Sequence, residues 1–141
     1  MTNNKALVIE DDSASRALWE LVLREQGYEM LYAPDLETAG PLVSDAIQVF
    51  VVDQYLPDGQ GVDIVGHIRQ EVPQSIILVV SMDDDAAVIH AAMQQGGNIF
   101  VVKPAAPSVL RQIISEVSAG KITAGMRELI NRNGRRAYAG A

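Results

Sequence analysis

The stretch Val49-Phe50-Val51-Val52-Asp53-Gln54-Tyr55-Leu56-Pro57-Asp58-Gly59-Gln60-Gly61 decides the fold of this chain. Its four leading apolar residues run without a break, stop on a carboxylate, and give way to a loop marked by Pro57, Gly59 and Gly61. A short, continuous apolar run bounded by turn residues predicts a strand buried on both faces, as in the middle of a parallel sheet. Asp53 then stands at the carboxyl end of that strand, the edge of an open α/β sheet where ligand crevices form. Alone, a strand-end Asp does no more than open a loop. The residues that end the other strands give Asp53 a chemical role.

Four further runs share the pattern: Ala6-Leu7-Val8-Ile9, Tyr28-Glu29-Met30-Leu31-Tyr32, Ile76-Ile77-Leu78-Val79-Val80 and Ile99-Phe100-Val101-Val102. Successive runs begin roughly 20 to 27 residues apart, room for a helix and two loops between parallel strands. A βα unit repeated in this way predicts an α/β fold: a doubly wound five-stranded parallel sheet with helices on both faces and the flavodoxin-like order 2-1-3-4-5.

The segments between the runs carry helical spacing. Leu18, Leu21, Val22 and Glu25 mark the first helix, with Asp12 or Ser13 as its N-cap and Gly27 as its stop. Residues 35–44 predict a second helix with Leu36, Ala39, Leu42 and Val43 inward, strained or shortened by Pro41. Residues 62–70 place Ile64, Val65 and Ile68 on one side, and residues 86–95 do the same with Val88, Ile89, Ala92 and Met93. Pro107 opens a fifth helix with Val109, Leu110, Ile113, Ile114 and Val117 at core spacing. Trp19 belongs to the first helix, where packing accounts for it. Residues 1–118 are expected to form one domain, and residues 119–141 a basic tail, partly helical or disordered. In that tail Ile122, Met126, Leu129 and Ile130 are spaced to extend an amphipathic helix before the end frays.

Composition narrows the function. The net charge of −7 is unevenly spread: residues 1–117 hold 6 Lys or Arg against 17 Asp or Glu, and residues 118–141 hold 5 against 1. An acidic body repels nucleic-acid phosphates and attracts cations or basic protein surfaces, so no direct nucleic-acid partner is expected. No apolar run approaches a membrane span and the N-terminus lacks a secretory pattern, so no membrane association and a cytoplasmic setting are expected. With no cysteine, thiol nucleophiles, disulfides and thiolate metal sites are excluded.

Polar residues interrupt the apolar runs at one recurring place, the carboxyl ends of strands. Glu10 and Asp11 follow the first run, Asp53 the third, Ser81 the fourth and Lys103 the fifth. In the order 2-1-3-4-5 the first and third strands are neighbours, so three carboxylates meet at the point where the strand order reverses. Like charges about 4 Å apart repel by roughly 4 kcal/mol at an effective dielectric of 20, and a divalent cation relieves that repulsion. All-oxygen ligands with room for water and phosphate suit magnesium better than zinc. Lys103 adds a positive charge and Ser81 a hydroxyl, a pair matched to an anion with several acceptor oxygens, such as phosphate.

The run Leu7-Val8-Ile9-Glu10-Asp11-Asp12, Asp53 with Pro57 and Gly61 after it, Ser81 at a strand end and Val102-Lys103-Pro104 together resemble the response regulator receiver domain of two-component signalling, over roughly residues 5–118. The resemblance implies that Asp53 accepts a phosphoryl group from a phosphohistidine on a histidine kinase or histidine phosphotransfer protein. It implies that Glu10, Asp11, Asp53 and the main-chain carbonyl of Tyr55 hold Mg2+, with Glu10 acting through metal-bound water. It also implies that Ser81 and Lys103 contact the phosphoryl group and that the Lys103–Pro104 peptide is cis. By the same resemblance, Ser81 and Phe100 form a switch that alters the face made by the fourth helix, the fifth strand and the fifth helix. That face would serve a downstream protein or a homodimer.

The resemblance further makes the chain a regulatory phosphoacceptor and not an enzyme. Two alternatives remain beside it. One is a pseudo-receiver that keeps the fold as an interaction module without phosphate, suggested by the bulky Met82 after Ser81, whose bulk is also expected to slow access to the crevice. The other is a magnesium phosphohydrolase with an aspartyl intermediate, which usually carries a second acid two residues after its nucleophile, where this chain has Tyr55.

Overall fold

The central strand, β3 (Val49–Asp53), is buried at every position, as an unbroken apolar run requires when helices cover both faces of a sheet. The protein, a computed structural model, is described over residues 4–138. Around β3 the chain forms β1 (Asn4–Ile9), α1 (Ser13–Glu25), β2 (Tyr28–Ala33), α2 (Leu36–Ala39), a small ribbon of β4 (Tyr55–Leu56) and β5 (Gly59–Gln60), α3 (Val62–Glu71), β6 (Ile76–Ser81), α4 (Ala86–Gln95), β7 (Ile99–Val102), α5 (Pro107–Ser118), β8 (Glu128–Ile130) and β9 (Arg136–Tyr138). The main sheet runs β2-β1-β3-β6-β7-β8-β9. Its five long strands are parallel and lie in the expected order 2-1-3-4-5.

Strand alternation divides the core into two. Ala6, Val8, Val49, Val51, Leu78, Ile99 and Val101 face α1 and α5, packing on Trp19, Val22, Leu23, Leu110, Ile113 and Ile114. Leu7, Ile9, Phe50, Val52, Ile77, Val79 and Phe100 face the other way, toward Ile64, Val65 and Ile68 of α3 and Ala92 and Met93 of α4. Helices therefore cover both faces, as the doubly wound pattern predicts.

Two helices depart from the sequence reading. On α1 the buried stripe is Trp19, Val22 and Leu23, while Leu21 is 50% exposed, because the helix turns Trp19 inward. The N-cap is Asp12, whose carboxylate accepts from the Ser15 amide at 2.8 Å. The second helix keeps its inner residues but closes after one turn, at Ala39, and passes into a 3-10 turn over Gly40–Leu42. Pro41 lacks the amide that an α-helix needs there.

The larger correction concerns the tail. The helical extension expected from Ile122 to Ile130 does not form; β8 and β9 make a hairpin instead and extend the sheet past its fifth long strand. β8 pairs parallel with β7 in the register Ile99↔Glu128, Phe100↔Leu129 and Val101↔Ile130, and β9 returns antiparallel to β8. The edge amides and carbonyls of β7, which a five-stranded sheet leaves open, are thereby paired. In consequence, the face expected between the fourth helix (α4), the fifth long strand (β7) and the fifth helix (α5) has the hairpin laid along its central strand. Residues 139–141 lie outside the described residues.

Asn98, fully buried just before β7, fixes the tail in place. Its side-chain amide donates to the carbonyls of Thr123 (3.2 Å), Ala124 (2.8 Å) and Met126 (3.0 Å). Its Oδ1 accepts from the Ile77 amide at 2.8 Å and from the Arg69 guanidinium at 2.7 Å. Arg69 also donates to the carbonyls of Pro73, Ser75 and Gly96. Ile130, buried in the α1/α5-side core, and the Arg136–Glu116 ion pair hold the far side of the hairpin. Asn98→Ala removes every tail contact of that side-chain amide and takes its acceptor from the buried Ile77 amide. It is expected to cost about 2–4 kcal/mol in urea unfolding and to lower amide-exchange protection across residues 123–137 before the rest of the sheet.

Candidate functional site

Period-two alternation brings the site together. Glu10 continues the Ala6/Val8 parity of β1, Asp53 the Val49/Val51 parity of β3, and Lys103 the Ile99/Val101 parity of β7, so all three turn toward the α1/α5 side at the carboxyl edge. The Lys103 ammonium lies 2.8 Å from Asp53 Oδ2 and 3.4 Å from Glu10 Oε1. Glu10, Asp11 and Asp53 each offer a carboxylate oxygen within 4.8 Å of the others. Glu10 is 3% exposed and Asp53 7%, while Asp11 stands at the surface.

The backbone after Asp53 is built to hold it. Asp53 Oδ1 accepts from the Tyr55 amide at 2.9 Å. Gln54, buried, takes the Val62 amide on its side-chain oxygen, and the Gly61 amide donates to the Gln54 carbonyl at 2.8 Å. A Cβ on Gly61 would lie 2.3 Å from the Asp53 carbonyl oxygen, so the loop passes against the strand where only glycine fits. Asp58 accepts from the Leu36 and Glu37 amides and ties this loop to the start of α2; these bonds hold its carboxyl below the usual range.

Ser81 ends β6 on the opposite parity, with Val79, and therefore faces the α3/α4 side. Its Oγ accepts from the Asp83 amide at 3.0 Å. Phe100 shares that side, one register step back, paired with Val79 while Ser81 pairs with Val102. Its ring is fully buried. Lys103–Pro104 is cis, as the family resemblance implies. Met82, 70% exposed, lines an apolar groove of about 350 Å³ with Leu18, Trp19, Lys103, Pro104 and Leu110. Trp19, though on α1, thus borders the same groove as Lys103.

Electrostatics separate the acids. Burial, then the hydrogen bond and charge of Asp53, raise the Glu10 carboxyl from 4.5 to about 8. Burial opposes the Lys103 ammonium, but the hydrogen bond and charge of Asp53, reinforced by Glu10, prevail and raise it. Three hard carboxylate oxygens within 4.8 Å of one another, with burial and Asp53 disfavouring the charge on Glu10, fit a divalent metal ion of the magnesium class.

Two functional contacts escaped the sequence. The Tyr55 hydroxyl donates to Asp83 Oδ2 at 2.6 Å, linking the loop after β3 to the loop after β6; the bond lowers the Asp83 carboxyl and raises the Tyr55 phenol. Arg132, at the tip of the β8–β9 hairpin, donates to the carbonyls of Lys103 and Met82. Neither follows from spacing along the chain, because each joins residues from separate loops.

The family model for the response regulator receiver domain matches residues 6–115. The chain belongs to that family. The receiver is 28% identical over 116 residues to a cyclic di-GMP phosphodiesterase of Thermotoga maritima and 27% identical over 116 residues to the response regulator protein PilR of Pseudomonas aeruginosa. Each alignment covers 82% of this chain, which spans only 31% and 26% of those relatives. It is also 28% identical to chemotaxis protein CheY1 of Helicobacter pylori, with 80% of this chain and 95% of that one covered. Among solved structures, a CheY-like receiver domain protein from Methanospirillum hungatei superposes with a TM-score of 0.77 at 19% identity, over 84% of this chain and 95% of the other. A response regulator from Burkholderia pseudomallei carrying a phosphorylated aspartic acid, a calcium ion and citrate superposes at 0.69 and 23% identity, over 84% and 72%. The hairpin lies beyond the matched span of the receiver.

A proton held by Glu10 gives a pH dependence of definite sign. Because its folded pKa is raised, the group's stabilising contribution is complete below about pH 4.5 and is lost as pH rises through about 8. The carboxyls of Asp12, Asp58, Asp83 and Glu116 are shifted downward, so their contributions change only in acid, below that window. Without divalent metal, Tm is expected to fall between pH 5.5 and 8 by several degrees, on the order of a few kcal/mol at most, and Glu10→Gln to flatten that slope. Gly61→Ala is expected to destabilise by about 1–3 kcal/mol and to weaken metal binding at Asp53, measured by urea unfolding and magnesium titration.

Proposed function

We propose that the receiver takes a phosphoryl group onto Asp53 from a phosphohistidine of a histidine kinase or a histidine phosphotransfer protein, and that this switches its contacts with a downstream protein. The observation that carries the reading is the convergence on Asp53: an ammonium 2.8 Å from one carboxylate oxygen, and two further acids within 4.8 Å. The relative whose structure carries a phosphorylated aspartic acid supports the chemistry at such a site.

In the transfer, a carboxylate oxygen of Asp53 forms a bond to phosphorus as the nitrogen–phosphorus bond of the donor breaks, and the imidazole leaves with the bonding pair. The Tyr55 amide on Asp53 Oδ1 fixes the carboxylate's orientation, so one oxygen is presented and the other restrained. Lys103 moves from carboxylate to phosphoryl oxygens as negative charge gathers there, and Ser81 donates its hydroxyl proton to another oxygen. Glu10, Asp11, Asp53 and the Tyr55 carbonyl would hold Mg2+, which would supply the remaining charge neutralisation. Glu10 would shed its proton to take part, directly or through water.

Movement of Ser81 and of the residues behind it, down to Phe100, is proposed to reach the face of α4, β7 and α5, which in this chain includes the hairpin. A homodimer through that face would meet the hairpin and not a bare β7 edge. The pseudo-receiver alternative draws on Met82 at the mouth of the groove, which is also the reason to expect slow uptake from small donors. The phosphohydrolase alternative is disfavoured because Tyr55 stands where such enzymes usually carry a second acid.

Incubation with acetyl phosphate and magnesium, followed by intact-mass measurement, tests the reading. One phosphoryl group is expected on the wild-type chain, none on Asp53→Asn, and at least a roughly tenfold slower uptake on Lys103→Ala, in line with the loss of a positioned charge. Uptake by Asp53→Asn equal to wild type would refute Asp53 as acceptor.

A further inference from the structure

Arg132 belongs to the C-terminal hairpin, outside the residues that match the family. Its guanidinium nevertheless reaches the phosphoryl edge of the sheet. Nε donates to the Lys103 carbonyl at 2.8 Å, Nη2 to the Met82 carbonyl at 2.5 Å, and Nη1 meets Asp84 Oδ2 at 3.3 Å. Met82 follows Ser81 directly, and Lys103 follows the last residue of β7. One planar fork thus joins the loop that follows Ser81 to the loop that opens with Lys103, whose ammonium pairs with Asp53, a role suited to the fixed donor geometry of arginine.

The base of this clamp is firm. β8 is paired along β7, Asn98 binds three carbonyls of the segment leading into β8, and Arg136 pairs with Glu116 of α5. Local hydrogen bonds shape the tip as well. Asn131 Oδ1 accepts from the Asn133 and Arg135 amides, and Gly134 takes φ +77° to close the turn. Arg132 is therefore held by a rigid ribbon at one end and by the site loops at the other.

We propose that Arg132 is a positioning residue for the phosphoryl site and that it transmits the occupancy of Asp53 to the hairpin. This rests on the phosphoacceptor reading above. Ser81 Oγ now accepts from the Asp83 amide, within the segment whose Met82 carbonyl and Asp84 carboxylate Arg132 holds. A hydroxyl drawn toward a phosphoryl oxygen moves that segment, and Arg132 has to follow or release it. Coupling of this kind is reciprocal: what the anion does to the hairpin, loss of the clamp does to the anion. The hairpin thereby turns a covered sheet edge into a part of the output surface that responds to the site.

Beryllofluoride with magnesium, a non-transferable phosphoryl mimic, tests this on the full chain by hydrogen exchange and by titration. In the wild type it is expected to change amide exchange across residues 128–137 roughly fivefold or more. In Arg132→Ala and Arg132→Lys, which remove the fork, the change is expected to drop below about twofold, with affinity for the mimic weakened roughly fivefold. Asp84→Ala keeps both carbonyl contacts and is expected to match the wild type; behaviour like Arg132→Ala would overturn the assignment to the carbonyls. A wild-type chain that takes up no mimic overturns the phosphoacceptor reading and this one with it. Uptake that leaves hairpin exchange unchanged in the wild type, or that changes it in the Arg132 variants as much as in the wild type, overturns this inference alone.

Discussion

The ion pair between Lys103 and Asp53 is the contact on which the rest of the structure depends. A carboxylate 7% exposed at the end of the central strand, beside a second buried acid, is costly to keep charged. The ammonium 2.8 Å away offsets that cost, and it comes from the opposite side of the strand order, two strands across from β3. Parallel pairing of β3 with β6 and of β6 with β7 sets that distance, and common parity turns both side chains to the same side. Burial and Asp53 raise the Glu10 carboxyl in spite of Lys103, so the single ammonium does not balance the cluster. A site left short of positive charge is ready for a cation, and an acceptor already paired with a lysine is ready for an anion that the lysine can follow.

The second constraint is the free edge of β7. An open parallel sheet ends in a strand with unpaired backbone groups, and proteins protect such edges by covering, charging or pairing them. Here the chain pairs its own edge with β8, and a buried asparagine, Asn98, uses both ends of its side-chain amide to join the tail to β6 and to Arg69. The acidic body and the basic tail attract each other across this junction, through Arg136 with Glu116 and Arg132 with Asp84. The charge asymmetry of the sequence is thus an internal complementarity in the fold, at least in part.

Most of the site was legible before the fold was known. Each of Glu10, Asp11, Asp53, Ser81 and Lys103 interrupts an apolar run, and topology alone sends the ends of parallel strands to one edge. The tail was not legible, although Asn133-Gly134 is a turn signal. Its strands are three residues each, too short for a period of two to stand out from the helical spacing of Ile122, Met126, Leu129 and Ile130. Helix α1 shows the same limit on a smaller scale, since Leu21 and Trp19 both suit an apolar stripe and only the position of α5 selects Trp19.

What the sequence determined by itself was the alternation of elements, the order of the sheet and the chemistry at its rim, because periodicity and strand-end polarity are local properties carried by neighbouring residues. Tertiary structure alone decided where residues 119–138 go and that Tyr55 and Arg132 reach other loops. Those outcomes depend on which backbone edge is left unpaired and on which distant carbonyls and carboxylates come within hydrogen-bond range. No pattern along one segment encodes that.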